Sequence, residues 1–157
     1  MKKVAIFADV QNVYYTCRDI YGRQFDYRAF LKRAAQRGDI VVANAYAIDR
    51  GDPKQLKFQE ALRHMGFTVK LKPFITRKDG TAKGDWDVGI TIDVLDAAPA
   101  ADVVILLSGD GDFAILMRKI RDDLGVRAEV YGVPELTSQS LVEAASLFHR
   151  IDESLLM

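Results

Sequence analysis

Apolar positions along the chain fall into two alternating kinds of segment. Val4 to Ala8 is a short continuous apolar run, which predicts a strand buried on both faces. Gln11 to Ile20 follows, with Val13, Tyr14, Cys17 and Ile20 near helical spacing. After a loop at 21–25, Asp26 is placed to cap a helix over Tyr27–Gln36. Ile40–Ile48 predicts a second strand, and Pro53 suits the first turn of a helix that Gly66 stops. Phe67–Lys72 alternates apolar with polar, as a strand at a sheet edge does, and its lysines discourage pairing with another chain. Ile75 to Gly84 has little apolar content and predicts a basic loop. A helix from about Asp85 ends before Pro99. Val103–Leu107 is a buried strand, and a helix over Phe113–Leu124 is expected to turn Ile115, Leu116, Ile120 and Leu124 inward. Val126–Tyr131 is another strand. Ser138 or Ser140 opens a last helix, and Phe148–Ile151 adds a short extended piece.

Strands alternating with helices predict a three-layer α/β/α domain around a mainly parallel sheet of five or six strands. The 157 residues suffice for one domain, expected to span 1–157. Lys plus Arg and Asp plus Glu both number 22, so bulk charge does not indicate a strongly basic nucleic-acid binder, though a local patch stays open. One cysteine and two histidines make a Cys/His zinc site implausible and an intrachain disulfide impossible. The N-terminal apolar run is too short for a leader and is broken by Asp9, and no segment reaches membrane-spanning length. A cytoplasmic protein with no membrane partner is expected, with homo-oligomerisation left open.

Chemistry gathers where the buried strands stop. Asp9 ends the first. Ser108-Gly109-Asp110-Gly111-Asp112 ends the fourth, its glycines leaving room for the backbone to bend and for something to approach. Asp85 and Asp87 open the helix that feeds the fourth strand. In an open α/β sheet, ligands sit beyond the carboxyl ends of the strands, at the switch point. If the first and fourth strands are neighbours, all these carboxylates reach that point. Each has an ordinary explanation on its own: a helix cap for Asp9, turn residues for Asp110 and Asp112, an acidic first helical turn for Asp85 and Asp87. Together they suit a hard cation, Mg²⁺ or Mn²⁺, because an all-oxygen donor set selects one and a cluster of like charge needs one. Such a site hydrolyses phosphodiesters. Asn12 is placed to orient a water or a ligand, Lys83, Arg77 and Lys78 to meet phosphate charge, and Ser108 to donate or accept at the strand end. Tyr14, Tyr15 and Trp86 are read as packing residues rather than stacking platforms. The first turn lacks the glycines of a dinucleotide site, and Gln11 stands where a phospho-aspartyl phosphatase would carry a second Asp.

Asp9-Val-Gln-Asn12, then Lys83-Gly84-Asp85-Trp86-Asp87 with Asp93 six residues on, then Ser108-Gly109-Asp110-Gly111-Asp112-Phe113, resemble the three motifs of NYN domains, within the PIN-like nuclease superfamily. The closing Gly132, Ser140, Leu141, Ala145 and Phe148 extend the resemblance over nearly the whole chain. It implies a PIN-like sheet ordered 3-2-1-4-5 and a metal-dependent ribonuclease. By motif match, Asp9, Asp87, Asp110 and Asp112 form the metal site with Asn12 beside it. Asp85 is an added carboxylate where the family carries an apolar residue, so which of Asp85 and Asp87 faces the metal stays open. The alternative is an RNA-binding or regulatory module of the same fold with weak or no turnover.

Overall fold

The computed structural model describes residues 1–73, 75, 76, 82, 83 and 85–157. In chain order its elements are β1 (Lys3–Asp9), α1 (Val10–Tyr21), α2 (Tyr27–Ala35), β2 (Asp39–Asp49), α3 (Pro53–Met65), β3 (Thr68–Pro73), β4 (Ile75–Thr76), β5 (Ala82–Lys83), α4 (Asp87–Ala97), β6 (Val103–Leu107), α5 (Ala114–Arg118), β7 (Arg127–Gly132), α6 (Gln139–Ala144) and β8 (Leu147–Arg150). The helix boundaries follow local chemistry. Asp26 accepts from the Ala29 amide and Asp52 from the Lys54 amide, so α2 and α3 start at side-chain caps. Pro53 needs no amide partner at the first turn of α3.

Six strands form one sheet in the order β3-β2-β1-β6-β7-β8, and every neighbouring pair is parallel. The expected order therefore holds, with β8 added outside β7. The direction of the sheet order reverses between β1 and β6, where Val4 to Ala8 pair with Val103 to Leu107. Successive residues point to opposite faces. Val4, Ile6 and Ala8 join a core with α1, α2 and α3. Ala5 and Phe7 join a second core with α4, α5 and α6. Each buried Ile or Phe contributes about 1.5–3 kcal/mol, so both faces of β1 and β6 are anchored and the ends of these strands are held in register.

Three expectations change. The segment read as a basic loop begins and ends in paired backbone: Ile75–Thr76 runs antiparallel to Ala82–Lys83. Arg77 and Lys78 lie outside the described residues. The helix expected over Phe113–Leu124 is a 3₁₀ turn at Gly111–Phe113, a short α-helix, and a π-helical turn at Lys119–Asp123. Changing the residues per turn rotates the buried stripe. Leu116 and Ile120 stay inward and Met117 joins them, but Ile115 is 75% exposed and Leu124 39%. On the edge strand β3, the lysines turn onto α4 instead of guarding the edge: Lys70 pairs with Asp93, and Lys72 lies over the Trp86 ring.

Candidate metal centre

The end of β1 and the end of β6 are laced together by side chains. Ser108 Oγ donates to Asp9 Oδ2 at 3.1 Å, and the Asp110 amide donates to Ser108 Oγ at 3.2 Å. Asn12 Oδ1, on the first turn of α1, accepts from the Gly109 amide at 2.9 Å. Asp110 Oδ1 in turn accepts from the Asp112 amide at 2.9 Å, which closes the 3₁₀ turn. Ser108 is 1% exposed and both of its hydrogen-bonding functions are used inside the protein. It donates and accepts at the strand end and so holds the carboxylates in place. The glycines have a different role from the one expected of them. A Cβ at Gly109 would lie 2.6 Å from the Leu136 carbonyl oxygen, and one at Gly111 would lie 2.6 Å from Ser138 Oγ. The room they leave is filled by the chain's own segment 136–138.

Asp87 arrives from the opposite direction, at the first residue of α4. Trp86 fixes that point: its indole N–H donates to the Ala47 carbonyl at 2.8 Å and its ring packs edge-on to Tyr46 with centroids 5.3 Å apart. Lys72 Nζ donates to the Asp85 carbonyl at 3.0 Å, and Asp85 Oδ1 accepts from the Asp87 amide at 3.2 Å. Carboxylate oxygens of Asp87, Asp110 and Asp112 all lie within 4.8 Å of one another. A cleft of about 260 Å³ is lined by Asp9, Asp85, Asp87 and Asp110, together with Gln11, Asn12, Tyr15 and Thr16 of α1. Asp87 and Asp110 belong to both sets and mark the centre. Asp112 is on the exposed side and Asp9 on the buried side.

The electrostatics follow from this crowding. Burial raises the Asp9 carboxyl to about 6. The Ser108 hydroxyl and the Asn12 backbone pull it down, and Asp110 and Asp85 push it further up. Asp87 is raised to about 7 by burial and by the charges of Asp110, Asp85 and Asp9. Without a cation, a proton offsets the repulsion. The donor set tests well against a hard divalent ion: it is all oxygen, three ligand atoms are already gathered, and the nearest uncompensated charge is negative.

Asp93, which completes the second motif in sequence, is elsewhere. It accepts from Tyr46 Oη at 2.7 Å and from Lys70 Nζ at 2.6 Å. Burial raises its pKa, but these two partners outweigh it and the net shift is downward. Lys83 lies on β5, its backbone paired with Ile75. Sequence reasoning missed Gln11 and Thr16 as cleft residues. The available signal was helical spacing: Gln11 lies four residues before Tyr15 and Thr16 four after Asn12, which puts all four on one side of α1.

The same architecture occurs in a crystal structure of a protein of unknown function from Vibrio parahaemolyticus, with a TM-score of 0.94 and 53% identity over 99% of this chain and 96% of that one. The low amplitude and bright protein LabA of Synechococcus elongatus is 34% identical over a 127-residue alignment that covers 76% of this chain and 68% of that protein. The pattern characteristic of the NYN domain matches residues 3–152, so that the laced ends of β1 and β6 and the acidic start of α4 all fall inside it. By that match and by its relatives, the chain belongs to the NYN domain family.

Proposed function

We propose that this protein is a metal-dependent ribonuclease that hydrolyses RNA phosphodiester bonds at the carboxylate cluster. The observation that carries the reading is the convergence of Asp87, Asp110 and Asp112 within 4.8 Å at the switch point of the sheet, with Asp9 and Asp85 close enough to raise the Asp87 pKa. Asp87, Asp110 and Asp112 would hold Mg²⁺ or Mn²⁺, with Asp9 on the buried side. When bound, the ion supplies an activated water and stabilises charge on the phosphoryl oxygens. This chain's own residues do the rest. Ser108 and Asn12 keep Asp9 and the 108–112 turn in fixed relation, so that the oxygens need not reorganise during the reaction. Asp87, raised to about 7 by burial and by its like-charged neighbours, would give up that proton as an ion takes its place, so occupancy of the site should fall as pH drops below neutrality. The Lys72 ammonium donates to the carbonyl of Asp85, a residue of the cleft lining, and so adds a positive charge next to the cluster. Among the described residues no helix is long and apolar enough to cross a membrane, which is compatible with an RNA substrate met in solution.

The test is cleavage of single-stranded RNA by purified protein with Mn²⁺ or Mg²⁺. Cleavage abolished by chelator and by Asp9→Asn supports the reading. Cleavage that survives both would refute it, and intact RNA held tightly would favour the binding module.

A further inference from the structure

A second depression adjoins the acidic cleft. It is a groove of about 500 Å³ between α1 and α3, floored by the end of β2, a size suited to a nucleotide-sized ligand. Gln11 and Tyr15 line both the groove and the cleft, so the two are contiguous along one face of α1. The groove's walls are largely apolar, with Val13, Phe25 and Phe58 among them. On its α1 side Tyr14 and Tyr15 stand edge to face at 5.3 Å, and the Arg18 guanidinium lies 4.8 Å from the Tyr15 ring centroid. Arg18, Arg50 and Lys54 rim it, against the carboxylate of Asp52.

One feature of α3 gives this groove a chemical preference. Gln55 and Gln59 both line it, one helical turn apart and therefore on one face of the helix. Gln59 is 2% exposed. The side-chain carbonyl oxygens of both are shielded from solvent and accept no hydrogen bond. Two orphaned acceptors on the wall of an otherwise apolar groove are costly unless a donor arrives to meet them. The last torsion of a glutamine is broad, so turning the amides toward a ligand costs little. A single amino group carries two N–H donors and matches two acceptors.

We propose that this groove is a nucleobase subsite, contiguous with the acidic cleft through Gln11 and Tyr15, and that Gln55 and Gln59 select bases bearing an exocyclic amino group, adenine or cytosine. The proposal rests on the ribonuclease reading for its place on the substrate: the selected base lies next to the scissile phosphate. The apolar walls hold the ring, and the Gln pair reads its amino edge. A base with a carbonyl at that position is met only after both amides turn over to present their NH2 groups, giving up the acceptor orientation found here.

The experiment is titration calorimetry of the full chain, in chelator, with 5′-AMP, 5′-IMP, 5′-CMP and 5′-UMP. The members of each pair differ at the amino position. AMP is expected to bind roughly tenfold or more tightly than IMP, and CMP than UMP. Gln59→Met keeps the volume and removes the acceptor. It is expected to bring each pair to parity while leaving the melting temperature unchanged or raised, and Gln55→Met is expected to narrow the gap. Equal binding within the pairs, a preference for the carbonyl bases, no binding of any nucleotide at millimolar concentration, or discrimination that survives Gln59→Met would overturn the proposal. RNA cleavage is scored separately. An amino-base preference in a chain that leaves RNA intact would refute hydrolysis and keep the subsite. Cleavage without the preference would do the reverse.

Discussion

Asp9→Asn should stabilise the chelated protein above pH 6 and leave it unchanged below pH 4. The Asp9 carboxyl is raised from its ordinary 3.8 to about 6, chiefly by burial. Its ionised form is therefore disfavoured by the fold. The sign follows from linkage: the native state binds the extra proton between those two values, so whatever stability Asp9 contributes is full below 3.8 and is lost as pH rises through about 6. The gap amounts to about 3 kcal/mol. Asn keeps an oxygen to accept from Ser108 and carries no charge to bury, so the variant escapes this loss. Urea denaturation in chelator at half-unit steps from pH 4 to pH 8, read as wild type minus variant, cancels the titrating groups remote from Asp9 and retains its coupling to Asp87. The difference should open between pH 4 and 6 and plateau at about 2–3 kcal/mol in the variant's favour, equivalent to roughly 5–10 °C in melting temperature for a domain of this size. Adding Mn²⁺ should close it for wild type only. A variant less stable than wild type at pH 8, with a difference independent of pH, would refute the claim that the cluster holds an uncompensated buried charge.

Other outcomes follow from the same charges. Millimolar Mn²⁺ or Mg²⁺ should raise the melting temperature of the wild-type protein by several degrees and that of Asp110→Asn by much less, because Asp110 is both a gathered ligand and a source of the repulsion on Asp9 and Asp87; a thermal-shift series with each ion decides it. Glu129, at the centre of β7, is fully buried among Arg37, Arg127 and His149. Burial raises its carboxyl, but hydrogen bonds from His149, Arg127 and Arg37 outweigh that and hold it at about 2. Its contribution is present above the ordinary 4.5 and lost as pH falls toward 2, so Glu129→Gln should cost about 3 kcal/mol at pH 7 and progressively less in acid; equal losses at pH 7 and pH 3 in denaturant melts would contradict this.

Much of this molecule could be read from its sequence because the signals were local or periodic. Five apolar residues from Val103 to Leu107 admit little but a doubly buried strand, and Asp26 and Pro53 marked their helix starts by chemistry that acts within one turn. Asp9 and Asp110 could be paired from sequence only by assuming that the first and fourth strands are adjacent, and β1 and β6 are. The misreadings arose where the period changed or the partner was distant. Ile115 and Leu124 were assigned inward on a 3.6-residue repeat that the 3₁₀ and π turns on either side of α5 break. Lys70 looked like an edge guard because nothing in an alternating strand shows that Asp93 waits 23 residues later to receive it. Gln55 and Gln59 sit in a helix as any surface glutamines would; only tertiary packing deprives their carbonyl oxygens of donors.

The lacing of β1 to β6 has a consequence for when the site comes into being. Ser108 and Asp9 are 99 residues apart, and Gly109 and Asn12 are 97 apart. Closing a loop of that length is entropically slow, and parallel pairing across it ranks among the late events of folding. During synthesis, β1, α1 and the whole α2–β3 half emerge while the 108–112 turn is still untranslated. A ribosome-bound chain therefore carries Asp9 without its partners. The strand order thus acts as a timer: the carboxylate cluster cannot assemble beside the message that encodes it until two-thirds of the domain has been made and β6 has threaded in next to β1.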